Sequence, residues 1–293
     1  MALLSLSRFI SQSISSHLAP LGRYLSTGNH QRISSIDVNV PNRGQFNVLK
    51  GGSGVHSLIY IPGALGTAST DYQYQLEYFS RPDSSFNIVA FDPLGYGRNR
   101  SQRRQFKTEP IHFLQQDGID AYHIMQAVEP GKPFSVLGWS DGGVAALFLS
   151  ALYPSLVNKL VVWGANAFLT KQDIEMFEKT RDIKKWSPGM RDSLQAIYGS
   201  DLPQLWSDWL DSMIHIFNKH NGDLCMKELV KIKAPTLILH GDKDPLVPEV
   251  HPVYLNDAIS DTRVHVFPNG KHNIHIKYSQ EFNKIVEEFL LQK

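Results

Sequence analysis

Short apolar runs recur along most of the chain, and their spacing predicts the order of its strands and helices. Eight runs rich in β-branched and aromatic residues are predicted to be strands: Ile36–Val40, Phe46–Leu49, Ser57–Ile61, Phe86–Phe91, Phe134–Leu137, Lys159–Trp163, Thr236–His240 and Arg263–Phe267. The first two are close together and alternate polar with apolar positions, which is typical of an antiparallel edge hairpin. Helix-length segments separate the later runs, as parallel pairing requires. The pattern therefore predicts an α/β protein with a doubly wound, mostly parallel sheet.

One interval interrupts this alternation of strands and helices. Residues 168–233 show no convincing strand pattern but several amphipathic stretches, so we predict a helical insertion, called the cap from here on. Pro188, Pro203 and Asn221-Gly222 divide the cap into about three or four helices. The predicted organisation is one core that the cap divides into two parts, residues 36–167 and 234–293.

The charge balance argues against a nucleic-acid partner. The 293 residues carry a formal net charge of +1, and only 19% of them are charged, whereas proteins that bind a phosphate backbone usually concentrate Lys and Arg on one face. We interpret the basic run Arg98–Arg104 as a solvated loop. The single cysteine, Cys225, excludes an internal disulfide and lies in no cysteine motif, so we interpret it as structural.

The first part of the chain differs in composition from the rest. Residues 1–36 contain no Asp or Glu, three arginines and nine serines, which is the composition of a mitochondrial transit peptide. Arg23-Tyr24-Leu25-Ser26 resembles a matrix-protease site cut after Leu25, so residues 1–25 are the predicted transit peptide and the matrix is the predicted location. A disordered serine-rich tail is the alternative. The apolar runs there are too short for a membrane span or a secretory signal, and we expect no membrane partner.

Candidate chemistry begins at Gly138-Trp139-Ser140-Asp141-Gly142. A Gly-x-Ser-x-Gly pattern is weak by itself, but this one lies between an apolar strand and an apolar helix pattern. A serine at such a junction occupies a strained elbow with an exposed hydroxyl, and the glycines let strand and helix approach closely. Ser140 is therefore the predicted nucleophile, with the backbone N–H of Asp141 as one oxyanion donor. Ala64 or Leu65, in the loop after the third strand, is the expected second donor, unless that loop is only a Pro-Gly turn.

A serine nucleophile needs a general base and an acid that orients it, and both follow in the order that such a fold uses. Asp244 lies a few residues after the seventh strand, where a loop can turn back over the sheet, whereas Asp242 at the strand exit is more typical of an Asx turn. His272 follows the last strand and is the predicted base. His272 and His275 lack the helix and the glutamate of H-E-x-x-H, so we predict no metal and no cofactor.

Four segments extend the similarity beyond the elbow: Gly138 to Gly143, Trp163 to Asn166, His240 to Pro248 and Gly270 to Asn273. Together they resemble the valacyclovir hydrolase, or biphenyl hydrolase-like, family of mitochondrial serine hydrolases, and the resemblance covers nearly all of the chain after the leader. It implies the α/β-hydrolase fold, with an eight-stranded sheet and a helical cap after strand 6. It also implies a triad of Ser140, Asp244 and His272, and hydrolysis of α-amino acid esters.

Asp141 offers a physical reason for that substrate class. A carboxylate beside the nucleophile, under a cap that excludes water, could pair with the protonated α-amino group of an ester. A structural role is also open, because helix N-termini favour acidic residues, and the two roles are compatible.

The prediction is thus a carboxylic ester hydrolase that acts on a small-molecule ester through an acyl-enzyme on Ser140. We expect it to be a monomer. Two alternatives remain open. A carbon–carbon bond hydrolase of the meta-cleavage-product type would share the fold and triad, but Asp141 would repel its anionic dienoate substrates. A catalytically silent ligand-binding protein could also use this fold, although the ordered triad argues against it.

Overall fold

The computed structural model describes residues 33–106, 112–186 and 188–292. The predicted transit peptide lies outside the described residues. Eight strands form one sheet: β1 (Ser34–Val40), β2 (Gly44–Gly52), β3 (His56–Ile61), β4 (Phe86–Phe91), β5 (Phe134–Trp139), β6 (Val157–Trp163), β7 (Thr236–Gly241) and β8 (Thr262–Phe267). The α-helices are α1 (Ala68–Phe79), α2 (Phe113–Val128), α3 (Asp141–Leu152), α4 (Lys171–Lys179), α5 (Pro188–Tyr198), α6 (Leu202–His220), α7 (Val250–Ala258), α8 (Ile274–Lys277) and α9 (Ser279–Leu291).

The strand order across the sheet is β1-β2-β4-β3-β5-β6-β7-β8. β2 pairs antiparallel with both β1 and β4, and all later neighbours pair in parallel. The predicted α/β-hydrolase fold, with its mostly parallel eight-stranded sheet and antiparallel edge hairpin, is confirmed. Every residue of the central strand β4 is buried, whereas the edge strand β8 buries only Phe267.

Alternate residues of the strands enter two separate hydrophobic clusters, one on each face of the sheet. Ile59 and Val89 belong to the larger cluster with α2, α3 and much of the cap. Leu58 and Ile88 belong to the other cluster, with α1 and α9. Because helices cover both faces, the central strands consist of continuous apolar runs.

Strand order also determines where loops converge. β3 lies between β4 and β5, with Ile61 opposite Gly138 in parallel register. Connections from β3 and β5 therefore leave the same edge of the sheet in opposite directions, and such a switch point forms a crevice outside the carboxyl ends of the strands. The loops after β3, β5, β7 and β8 carry all of the predicted site residues.

Helices α4, α5 and α6 lie between β6 and β7. Thr170 and Asp173 form a capping box at the start of α4, and Asn221, which has a left-handed φ of 53°, caps the C-terminus of α6. The buried carboxylate of Asp173 also lies 3.3 Å from Nε2 of His251 on α7. This contact connects α4 of the cap to α7 of the core. Among the described residues, no helix is both long and apolar enough to cross a membrane.

Candidate active site

The turn between β5 and α3 has a strained backbone. Ser140 has φ 56° and ψ −122°, a conformation that residues other than glycine rarely adopt. Ser140 N donates to Trp163 O at 3.0 Å, and Ser140 O accepts hydrogen bonds from Gly143 N (2.9 Å) and Val144 N (3.2 Å). These bonds fix the strained conformation at the carboxyl edge of the sheet, where Ser140 remains partly accessible.

Glycines allow the strand and helix of this elbow to lie very close together. A Cβ atom at Gly142 would lie 1.9 Å from Ile61 O, and one at Gly138 would lie 2.2 Å from Gly142 O. Both obstacles are backbone atoms, which cannot rotate away as a side chain can. No larger residue therefore fits at either position without moving β3 or α3.

The loop after β3 lies beside the elbow. A Cβ atom at Gly63 would lie 3.3 Å from Ser140 Cβ, and Leu65 adopts a φ of 56° although it is buried. None of the hydrogen bonds among the described residues uses the backbone N–H of Ala64, Leu65 or Asp141. All three predicted oxyanion donors thus have a free N–H within the described structure, and Ala64 and Leu65 remain alternative second donors.

Two side chains support this loop. Asp71 Oδ2 accepts a hydrogen bond from Gly63 N at 2.9 Å; burial raises the pKa of Asp71 to about 7, although bonds from Gly63 and Thr70 lower it. Tyr198 of the cap donates its hydroxyl to Leu65 O at 2.7 Å. One residue of the core and one of the cap therefore determine how the loop presents its N–H groups.

Asp244 and His272 form a hydrogen-bonded pair. His272 Nδ1 lies 2.8 Å from Asp244 Oδ2, while Asp244 Oδ1 accepts N–H groups of Leu246 (2.8 Å) and Val247 (3.0 Å). Burial raises the pKa of Asp244, but the charge and hydrogen bond of His272 and the two amides outweigh it, so the pKa lies below its usual value. An ionised Asp244 favours the tautomer with a proton on Nδ1 and leaves Nε2 free to accept one. Asp242, by contrast, is exposed.

Trp139 connects this pair to the elbow. It directly precedes Ser140, and its indole Nε1 donates to His272 O at 3.0 Å. The ring centroids of Trp139 and His272 lie 5.2 Å apart. A Cβ atom at Gly164 would lie 2.8 Å from His272 Cε1 and 3.3 Å from Trp139 Nε1. The structure therefore places His272 in contact with the residue that precedes Ser140, at the same edge of the sheet as the elbow.

Asp141, the first residue of α3, is in a different environment. Its Oδ2 accepts the indole N–H of Trp209 at 2.7 Å, the only hydrogen bond to this carboxylate among the described residues. Burial raises the pKa of Asp141 to about 7, opposed by the Trp209 bond and the charge of Arg104. Asp141 remains partly accessible and forms no salt bridge with any described residue. Its carboxylate thus lacks a cationic partner beside the nucleophile.

Arg104 shows that the interpretation of residues 98–104 as a solvated loop is wrong at one position. The other three arginines of that run are exposed, but Arg104 is buried and binds Asp117 through two hydrogen bonds of 3.0 and 2.5 Å. Its guanidinium also lies 4.2 Å from the ring centroid of Tyr96. Because Asp117 balances its charge, Arg104 leaves Asp141 without a neutralising partner of its own.

Known proteins share both the sequence and the arrangement of this chain. The family model described as the alpha/beta hydrolase family matches residues 58–285. Serine hydrolase BPHL of Mus musculus is 42% identical over 240 residues, covering 82% of this chain and 80% of the relative. Serine hydrolase BPHL of Homo sapiens is 40% identical over 259 residues, covering 88% and 87%. The chain belongs to the α/β-hydrolase family.

Solved structures of α/β hydrolases show the same fold. A meta-cleavage product hydrolase from Pseudomonas fluorescens superposes with a TM-score of 0.70 at 19% sequence identity, covering 88% of this chain and 97% of that one. The likeness at this identity concerns the fold alone. The BPHL relatives are far more similar in sequence, and they confirm the resemblance that the sequence motifs indicate. This α/β hydrolase is therefore a serine hydrolase enzyme.

Two aromatic contacts of this α/β hydrolase's site are absent from the sequence-based prediction. They are the bonds of Trp209 to Asp141 and of Tyr198 to Leu65. The only signal in the sequence is chemical: a buried Trp or Tyr needs a partner for its N–H or O–H. Which partner it finds depends on how the cap lies over the sheet, and the helix pattern does not encode that.

His275 and Cys225 have environments that fit structural roles. His275 is buried against the rings of Trp139 (4.6 Å) and Trp163 (5.3 Å), and burial lowers its pKa to about 3. Burial also favours the neutral form of Cys225: it raises the pKa of the thiol, which stays protonated and unreactive. The described part of the chain contains no group of three or more His, Cys, Asp or Glu that could hold a metal ion.

Proposed function

We propose that this serine hydrolase cleaves esters of α-amino acids and that Asp141 binds the protonated amine of the substrate. The observation that carries the proposal is the environment of Asp141: a residue next to the nucleophile that is only partly buried, whose carboxylate is bound by a neutral N–H and by no cation among the described residues. An ammonium group placed there would supply the missing charge. In a site that excludes water, such a pair is much stronger than at an exposed surface.

The proposed reaction uses the geometry of the elbow. Nε2 of His272 removes the proton of the Ser140 hydroxyl as its oxygen attacks the ester carbonyl, and the backbone N–H groups of Asp141 and of Ala64 or Leu65 stabilise the oxyanion. The alcohol then leaves with the proton from His272. Water attacks the acyl-enzyme in the same way and releases the amino acid and free Ser140. Asp244 stabilises the imidazolium in both halves of the reaction.

The test compares L-alanine benzyl ester with benzyl propanoate, which differs only by lacking the amine. Asp141→Asn keeps the size of the side chain and its ability to accept the Trp209 bond but removes the charge. We expect the ratio of kcat/KM values, aminoacyl over des-amino, to fall by roughly 10²-fold, as is typical when one partner of a desolvated ion pair is lost. Equal losses on both substrates would show that Asp141 does not recognise the amine.

Serine catalysis has its own test. A fluorophosphonate probe should label the wild-type protein and fail to label Ser140→Ala, with circular dichroism confirming that both are folded. A folded wild-type protein without labelling would instead favour a ligand-binding role. No feature of the site favours a carbon–carbon bond hydrolase, because an acidic group beside the nucleophile opposes binding of an anionic dienoate.

We also propose that residues 1–25 direct the protein to the mitochondrial matrix, supported by the absence of acids and the arginines of residues 1–36. Removal of residues 1–25 would delete Arg8 and Arg23 and no acid, which changes the net charge from +1 to −1. Residues 1–36 fused to a fluorescent protein should enter mitochondria and be cut after Leu25. Cytosolic fluorescence with an intact N-terminus would contradict this proposal.

We propose in addition that residues 168–233 form a cap distinct from the core and that the protein is a monomer. Limited proteolysis should release fragments that begin or end near residues 168 and 233 if the cap is a separate unit. Light scattering of the purified protein should give the mass of one chain.

A further inference from the structure

We propose that Trp209 is a positioning residue for the substrate amine: its indole N–H holds one oxygen of Asp141 so that the other faces the ammonium group. This inference rests on the proposed function of Asp141. A residue of the cap would then help to determine substrate specificity. The hydrogen bond from Trp209 to Asp141 joins α6 of the cap to the first residue of α3, the helix that follows the nucleophile.

The indole has little freedom to turn. Trp209 is buried and stacks on Trp206, with ring centroids 4.7 Å apart and planes inclined by 22°. Phe177 of α4 packs against it at 5.2 Å, and Trp186 packs edge-on against Trp206 at 4.8 Å. Because this aromatic cluster fixes the indole plane, it also fixes the direction in which Nε1 donates.

Fixing one carboxylate oxygen orients the other. The 2.7 Å bond engages Oδ2 of Asp141, and no described group donates to Oδ1. A carboxylate is planar, so once its terminal torsion is held, Oδ1 points in one direction. A preorganised acceptor binds an ammonium better than one that must first be ordered, because the entropic cost has already been met on folding.

The donor is also neutral, and this matters for the charge. An indole N–H favours the ionised form of Asp141 without cancelling its negative charge, whereas a lysine or arginine in the same place would do both. The buried cation nearby, Arg104, is already paired with Asp117. The site therefore keeps a carboxylate that a substrate cation can still neutralise.

The matched variants are Trp209→Phe and Trp206→Phe. Each removes an indole N–H from the same aromatic stack, but Nε1 of Trp206 donates at 3.1 Å to Thr180 O, a carbonyl of the cap. The readout is the aminoacyl over des-amino ratio of kcat/KM for L-alanine benzyl ester and benzyl propanoate. We expect Trp209→Phe to lower this ratio about tenfold, mainly through KM of the aminoacyl ester, and Trp206→Phe to change it less than twofold.

A second signature is the pH at which selectivity appears. Since the indole bond lowers the pKa of Asp141, its loss should move the acid limb of the selectivity ratio to higher pH in Trp209→Phe and not in Trp206→Phe. In an Asp141→Asn background, Trp209→Phe should have no further effect on the ratio. Equal effects of the two tryptophan variants, or equal losses on both esters, would show that Trp209 acts only through packing.

The outcomes separate this inference from the function on which it rests. If Asp141→Asn abolishes the preference for the aminoacyl ester while Trp209→Phe retains it, the role of Trp209 is wrong and that of Asp141 stands. If the wild type shows no preference, both are wrong. Should Trp209→Phe fail to fold, replacement of Trp209 by its benzothiophene isostere removes the N–H and keeps the ring shape, with the same expected tenfold loss.

Discussion

Two aspartates lie near Ser140, and their surroundings differ in almost every respect. Asp244, in the loop after β7, has both oxygens bound by His272 and two backbone amides, and its pKa lies below the usual value. Asp141, at the start of α3, has one neutral donor, and burial raises its pKa to about 7. One carboxylate is saturated by the protein itself. The other is left incomplete, which is what a binding site for a cation requires.

Orienting a catalytic base and recognising a substrate therefore place opposite demands on an aspartate side chain. An orienting carboxylate must be ionised and fixed throughout the reaction, so the fold stabilises its charge. A recognising carboxylate must gain something when the substrate arrives, so the fold leaves its charge under-stabilised.

The largest effect should come from Asp244→Asn. An amide cannot stabilise the imidazolium and favours the wrong tautomer of His272, so kcat should fall by roughly 10⁴-fold on both L-alanine benzyl ester and benzyl propanoate. Steady-state kinetics on the two esters measure this loss. A decrease of less than tenfold, or one confined to the aminoacyl ester, would mean that Asp244 does not orient the base.

The pH dependence of selectivity should be bell-shaped. Pairing requires Asp141 ionised, which occurs above its pKa of about 7, and a protonated substrate amine, which is lost above a pKa of roughly 7.7–8.0 for an ordinary α-amino group. The aminoacyl over des-amino ratio of kcat/KM should thus fall by up to about tenfold per pH unit below 7. Because His272 is the base for both esters, its role in proton transfer cancels in the ratio. A ratio that stays flat from pH 5 to 8 would contradict the pairing.

The two carboxylates should affect stability with opposite sign. The pKa of Asp141 is higher in the folded than in the unfolded chain, so its contribution becomes unfavourable as pH rises from about 4 to 7. Asp141→Asn should therefore raise the free energy of unfolding at pH 8 by roughly 2 kcal/mol, allowing for its contact with water, and by almost nothing at pH 4. Urea unfolding at both pH values measures the gain.

Asp244→Asn is the matched control for stability. The pKa of Asp244 is lower in the folded than in the unfolded chain, so ionised Asp244 stabilises the folded protein above the pKa of the unfolded state. This stabilisation is lost as the pH falls through the pKa of the folded state. This variant should be less stable than wild type at pH 8. Stabilisation by Asp244→Asn, or destabilisation by Asp141→Asn at pH 8, would contradict the assignment of the two environments.

The smallest effect should come from Asp242→Asn. This aspartate is exposed and lies two residues before Asp244, so its substitution tests whether any nearby acid contributes. Kinetic constants on both esters should stay within twofold of wild type. A large loss of activity would indicate that Asp242 contributes to orienting His272.

Much of this arrangement is local in sequence and could therefore be predicted. The apolar runs define all eight strands, and the elbow, Asp244 and His272 each lie just after a strand whose position is known. Parallel pairing then brings their loops to one edge of the sheet. These positions are predictable because each depends on neighbours along the chain or on strand order.

The contacts that shape the pocket are not local. Trp209 and Asp141 are 68 residues apart, and Tyr198 and Leu65 are 133 apart. Arg104 belongs to a run with exposed arginines, and only the position of Asp117 on α2 explains why it is buried. Such pairings follow from how helices lie over the sheet, which the periodicity of a single helix does not determine.

The close approach of Gly142 to Ile61 O has a consequence for protein engineering. At positions 138 and 142 the backbone of the elbow lies directly against other backbone atoms, so any substitution there would disrupt the elbow before it could alter its reactivity. The wall that the cap forms beside it contains side chains instead, such as Trp209, which binds the Asp141 carboxylate. A mutant library that keeps both glycines and varies the wall would explore new substrates while retaining the same reaction, so that selectivity can evolve without loss of the chemistry.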